Sequence, residues 1–300
     1  MYDNDSKGIS YTGGFFMLIA FAAAGLLLAS AISIPIWENL TGTSAKTISE
    51  GMNNPANADT AKLLQVINAI VGFLLPAIVT ATVLHKRPMK LLGFSTSIKL
   101  SQAGLVALII VAAVGVSSGL SYFNNHLPIP SDWRIAADKM EANYNRQVEA
   151  IISLRNTGEY LLALVIMAFL PALCEETLFR GGLQNFLTRG TSRPWFSIIV
   201  VSLLFSLAHF SFYGFLSRFF LGIILGLIYH YSGKLWLSIL AHFINNAAAL
   251  TVLYVSMKDG KPLRDIMSDN TTSFWGILAL PVVIGLFILF RRVSPKPRNT

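Results

Sequence analysis

An all-α polytopic membrane bundle is the fold class that the sequence predicts, and three observations predict it. Only 13% of the 300 residues are charged and 54% are hydrophobic, whereas an ordinary soluble domain is about 25% charged. Apolar runs recur along the whole length, and several approach the ~20 residues that a helix needs to cross a bilayer, longer than the ~10–14 of a buried soluble helix. Basic residues fall mainly in the segments between runs, and those without acids belong to one side if the runs alternate. Eight spans are read, at about 14–36, 64–84, 103–121, 160–174, 196–213, 217–231, 235–257 and 274–290. Together they form one integral membrane domain over residues 1–300.

Taken in order, the first run contains Ala29-Ser30-Ala31, which has the small residues of a signal-peptide cleavage site. It continues through Ile36 to Trp37 with only Lys7 as a basic flank, so it reads as an uncleaved span. Between the second and third runs come Lys86, Arg87, Lys90 and Lys99 with no acid. The third run carries Gly115-Val116-Ser117-Ser118-Gly119, the letters of a serine-hydrolase nucleophile turn. That turn needs a strand–turn–helix context; on a membrane helix the same letters make a small-residue packing face, as do Gly222 and Gly226. Segment 122–159 turns at Pro128 and Pro130 and starts a helix at Ser131-Asp132 that runs with mixed charge to about Arg155. It reads as a solvated linker between spans, with a lid as the alternative.

Arg189 and Arg193 follow the fourth span, Lys234 occupies the sixth-to-seventh turn, and Arg291, Arg292, Lys296 and Arg298 follow the last. The opposite side receives 38–62, 122–159 and 258–273, where bases are mixed with acids. The positive-inside rule then places both termini in the cytoplasm, with the Glu175 end of the fourth span near that face; in a bacterium the membrane is the plasma (inner) membrane. The net charge of +8 serves loops and anionic headgroups, and no basic stretch with interleaved aromatics points to nucleic acid. The single cysteine, Cys174, excludes an intrachain disulfide and a Cys-rich metal site, and reads as a small buried residue rather than a nucleophile. No internal repeat of the kind found in inverted-repeat transporters is present.

Polar groups inside the spans carry the functional signal, because ionisable residues there are costly. Glu175 and Glu176 end an uncharged run from Tyr160 to Leu173, with Arg180 four residues after Glu176. On a helix, positions four apart share a face and adjacent ones diverge by about 100°. Glu176 and Arg180 are therefore expected to pair, leaving Glu175 free for chemistry; desolvation in an apolar chamber makes such a carboxylate a better proton acceptor. His209 follows Phe205 by one turn, and His242 shares a face with Asn245 and Asn246. Interhelical hydrogen bonding explains any one of these, but the set exceeds what bundle packing requires.

Glu175-Glu176-x-x-x-Arg180, Phe205-x-x-x-His209 and His242-x-x-x-Asn246, in that order on successive spans, resemble the CAAX-protease and bacteriocin-processing (Abi) family of intramembrane endopeptidases, which includes the Ras-converting type. The resemblance covers about 160–255, which it marks as a catalytic core. It implies that Glu175 and His209 polarise a water for attack on a peptide carbonyl, that His242 and Asn246 steady the oxyanion, and that Glu176 and Arg180 support them. Phe205 and Asn245 are further neighbours of the site. The family has been called metalloprotease-like, and Glu175, His209 and His242 are the ligands if a divalent metal such as zinc is bound. No His-Glu-x-x-His is present, and direct water activation by the same residues is the reading favoured here. The implied partners are a peptide or protein substrate at the membrane and the bilayer itself; a non-catalytic scaffold or a bacteriocin self-immunity protein is the alternative.

Overall fold

The computed structural model describes residues 5–44, 46, 48–51, 54–94, 97–152, 154–268 and 272–294; Lys296 and Arg298 of the C-terminal basic cluster lie outside them. Among the described residues the chain is helical with no strand. Its principal helices are α1 (Tyr11–Thr41), α2 (Ala58–Leu84), α3 (Leu100–Asn125), α4 (Ser131–Ile151), α5 (Thr157–Thr191), α6 (Pro194–Leu207), α7 (Phe215–Ser232), α8 (Leu235–Lys258) and α9 (Phe274–Val293). All but α4 and α6 are long and apolar enough to cross a membrane, seven in total among the described residues. The protein is thus an integral, multi-pass membrane bundle. α6 has 14 residues, about 21 Å at 1.5 Å per residue, short of the ~30 Å hydrocarbon core. The fifth apolar stretch, 196–213, was expected to be one helix. It breaks after Leu207 into a turn that carries His209 and Phe210, and Phe210 holds a left-handed φ of 48°.

Local sequence explains the helix ends. Ser10 caps α1 by accepting from the Gly13 amide at 3.1 Å, and Asn156 caps α5 by accepting from Glu159 at 3.0 Å; each satisfies an amide that has no partner within its helix. Gly42 and Gly233 end α1 and α7 in the left-handed conformation that glycine tolerates best.

Among the described residues, the two larger of four packed clusters carry most of the core. One joins α1, α2, α5 and α6 through residues such as Leu18, Leu84, Phe186 and Phe205; the other joins α3, α7, α8 and α9 through Ile109, Leu225, Leu237 and Phe290. Leu27, Val111 and Leu278 face outwards, more than 60% exposed, as suits lipid contact. Because lipid is as apolar as leucine, close backbone approach rather than hydrophobicity holds such helices together. The Gly115–Gly119 face does this against α9: a Cβ on Gly119 would stand 2.7 Å from the Ile277 nitrogen, and one on Gly276 would stand 2.1 Å from the Gly115 oxygen. The pattern read as helix packing is helix packing.

Contacts also sort the two ends of the bundle. At one end the Lys86 amide donates to Asp5, Asn185 donates to Leu91, the Leu235 amide donates to Gly93, Lys234 donates to Gln102, and Gln102 donates to Ser294. This end gathers the basic segments 85–99, 189–193, 233–234 and 291–294. At the other end lie α4, the 208–214 turn, the start of α5 and the end of α8.

Candidate active site

α5 positions the double glutamate at mid-length rather than near an end, with 35 residues in the helix and Glu175 close to its centre. The fourth span was expected to end at about Cys174; it runs on instead to Thr191, so Glu175 lies within the helix and not at its end. Its helix widens into π turns at Leu164–Phe169 and Thr177–Gln184 on either side of Leu170–Glu176. Such widened turns gather at functional sites because they rotate the following side chains away from regular α register.

Glu176 and Arg180 pair as expected, Nη1 to Oε1 at 2.8 Å, with both side chains 0% exposed. The pair is one part of a larger node. Ser238 Oγ donates to Glu176 Oε2 at 2.5 Å, His242 Nδ1 stands 2.9 Å from Oε1, and Arg180 Nη2 donates to the Gly222 carbonyl at 3.1 Å. The guanidinium also lies 4.6 Å from the centre of the Phe205 ring. One buried ion pair thus fixes α5, α7 and α8 relative to one another, Glu176 reaching α8 and Arg180 reaching α7, and each charge has the partners that its burial demands.

Glu175 points away from this node into a cavity of about 860 Å³. Its Oε2 is buried and makes no hydrogen bond; His242 Nε2 stands 4.0 Å from it. His242 and His209 both line the same cavity. His209 Nδ1 is 2.8 Å from the Phe205 carbonyl, and the two rings meet edge to face at 4.9 Å. A carbonyl and a carboxylate accept only, so Nδ1 carries the proton in both histidines and Nε2 is the nitrogen left for chemistry. Asn246 lines the cavity too, and its Oδ1 accepts from Asn245 Nδ2 at 3.3 Å, which fixes its amide so that the NH₂ is the group left to donate. All four residues singled out for chemistry in the sequence therefore face one chamber, with Phe205 and Asn245 beside them. Cys174 is fully buried, as expected.

The donor set was tested against a metal. An Nε2 lone pair on each histidine, with Nδ1–H held by a carboxylate or carbonyl, is the arrangement that metal-binding histidines use. Yet no group of three His, Cys, Asp or Glu among the described residues is close enough to enclose one ion. As placed, the residues do not fit a metal, and no step is derived through one.

The rest of the chamber comes from elements that the sequence did not connect with it. Met140, Asn143, Tyr144, Gln147, Val148 and Ile151 make α4 a wall of the cavity rather than a mere linker. Three hydrogen bonds tie α4 to the turn bearing His209: Ser211 Oγ to Glu141 at 2.8 Å, the Tyr213 amide to Glu141 at 3.4 Å, and Tyr213 Oη to Asp138 at 2.5 Å. The bond to Asp138 pushes the Tyr213 hydroxyl above its ordinary pKa. Sequence reading also missed Ser238, one turn before His242 on the same face, and Arg218, a lone cation within the 217–231 apolar run. The second omission was avoidable, since an intramembrane cation is a functional signal by itself.

Fold and site together define a multi-pass membrane protein with a mainly apolar, partly enclosed chamber into which a mid-helix glutamate and two histidines face. Residues 157–248 match the model of a family described as type II CAAX prenyl endopeptidase Rce1-like. The matched segment, about a third of the chain, spans α5 to the middle of α8 and contains every residue of the three motifs. It agrees with the resemblance read from those motifs and points to membrane proteases of the CAAX endopeptidase kind. No curated protein and no solved structure matches the chain.

Proposed function

We propose that the protein is an intramembrane endopeptidase whose catalytic core spans 160–255 of a single membrane domain. Glu175 carries the reading: a half-buried carboxylate whose buried Oε2 makes no hydrogen bond, facing a chamber shared with two imidazoles and a carboxamide. A water held by Glu175 and His209 gives up a proton to them as its oxygen attacks the peptide carbonyl carbon. Asn246 Nδ2 and His242 steady the resulting oxyanion, which for His242 requires a proton on Nε2 as well as on Nδ1. Collapse of the tetrahedral intermediate breaks the C–N bond, and the proton returns to the departing amine. Glu176, Arg180 and Ser238 hold His242 and the helices around it in place.

Orientation follows from charge. The end that gathers 85–99, 189–193, 233–234 and 291–294 carries no acid in those segments, which puts both termini in the cytoplasm. Elements of the opposite end, α4 and the 208–210 turn, line the chamber, so we place it towards the non-cytoplasmic side and not at the cytoplasmic face that the position of Glu175 in sequence implied.

The test is purified protein in lipid nanodiscs with a mass-spectrometric peptide library. Cleavage by wild type that is lost in Glu175→Gln and His209→Ala, with folding retained, is the expected result; variants that cleave as wild type does would leave the scaffold or immunity reading. Exhaustive dialysis against a chelator should leave cleavage unchanged, and loss reversed by zinc would overturn the direct water mechanism.

A further inference from the structure

We infer that Arg218 is a carboxylate-binding subsite of the chamber, reading a negative charge on the peptide that Glu175 and His209 act upon. The inference builds on the peptidase reading and adds a property that the motifs do not contain.

Arg218 stands on the first turn of α7 and lines the cavity with Glu175, His209 and Asn246. No carboxylate among the described residues lies within ion-pair distance of it. Its guanidinium makes no hydrogen bond, and Nη1 is buried without a partner. A cation in such a place normally has a counter-charge, because an unpaired one is expensive to bury. Arg180, the other arginine of this region, shows the contrast: it has Glu176, a backbone carbonyl and an aromatic ring.

Two neighbours nevertheless position the guanidinium. Its carbon lies 4.6 Å from the centre of the Tyr144 ring of α4, and Nη1 stands so close to Gly214 that a Cβ there would come within 1.9 Å of it. Tyr144 and the missing Cβ place the donor fork without satisfying it. A planar fork of this kind matches a carboxylate, which takes two parallel N–H···O bonds. Glu175 is not its ligand, since it lies beyond ion-pair distance of Arg218; the carboxylate and the guanidinium line one cavity without meeting each other. The chamber offers apolar surface from Met140, Val148, Ile151 and Leu253 beside the polar Asn143 and Gln147, so an uncharged, mainly apolar peptide is the background against which one carboxylate is read. Its source is either the peptide's C-terminus or an acidic side chain near the cleaved bond.

The probe is a fluorescein-labelled apolar hexapeptide in three forms: the free acid, the C-terminal amide, and the amide with one glutamate among its last three residues. Binding to the full chain carrying Glu175→Gln is measured in nanodiscs by anisotropy, so that the result does not depend on turnover. A charge-assisted pair of this kind predicts that the free acid or the glutamate form binds about tenfold or more tighter than the plain amide; which of them does so identifies the source. Adding Arg218→Gln should erase the difference and leave the plain amide unchanged, while Arg218→Lys keeps part of it and guards against a folding defect. With cleaving protein the same substitution should raise KM for the charged peptide more than for the plain amide. Equal binding of all three forms, or no binding of any, overturns the proposal, as does an Arg218→Gln loss shared equally by charged and uncharged peptides. Charge-selective binding without any cleavage would retain the subsite and overturn the peptidase reading instead.

Discussion

Replacing Glu176 by alanine takes the acceptor away from Arg180, Ser238 and His242 at once, at a place where the glutamate and arginine side chains have no exposure to solvent. Removing one partner of a buried ion pair costs about 3–5 kcal/mol, because the surviving charge is left uncompensated. Hydrogen bonds to a charged group are worth about 1.5–3 kcal/mol each in soluble proteins, but these three share one carboxylate and do not add. In a bilayer the unfolded reference also finds partners, and measured interhelical side-chain bonds average about 0.6 kcal/mol. The expected loss for Glu176→Ala is therefore near the lower end, about 3 kcal/mol, against about 1 kcal/mol for Ser238→Ala, which removes only a hydroxyl. Glu176→Met combined with Arg180→Leu should recover most of that stability by removing both charges, yet cleavage should stay lost because His242 Nδ1 then has no acceptor. Reversible unfolding in mixed micelles measures the stabilities, and the peptide assay measures the activity. If Glu176→Ala costs no more than Ser238→Ala, the buried ion pair is not the node that joins the three helices.

Further outcomes follow from the packing and from α4. Gly119→Val forces a branched side chain against the Ile277 backbone and should destabilise the α3–α9 contact by about 1–3 kcal/mol, read as lower thermal stability; Ser117→Ala should leave cleavage intact, and its loss would revive a serine mechanism. Glu141→Ala removes the acceptor for Ser211 and for the Tyr213 amide. Amide exchange in 209–213 should rise and kcat should fall about tenfold while the unfolding midpoint changes little. Unchanged exchange would show that α4 does not position His209.

The bundle was legible because bilayer physics writes directly on sequence: runs of ~20 apolar residues and basic loops need no tertiary knowledge. The Glu176–Arg180 pair was legible for the same kind of reason, since helical periodicity alone brings positions four apart together. What periodicity cannot give is where a helix stops. Leu203 to Leu207 and the residues after them are as apolar as any span, yet the chain turns at Ala208, and the sequence reading kept His209 inside a helix that had ended. It also set Glu175 near a face because an uncharged run stopped there, whereas α5 continues to Thr191 by burying Glu176 and Arg180 against each other.

By itself, then, the sequence determined the class of fold, the gathering of basic segments at one end, and the residue types on each helical face, all of which depend on neighbours within a few turns. Only the tertiary structure decided that Glu176 serves α8 as well as Arg180 and that Arg180 reaches α7, that α4 walls the chamber, and that Arg218 faces it without a counter-charge. These relations join residues up to about a hundred positions apart. They depend on how helices cross, which small residues and buried charges settle together and no single helix encodes.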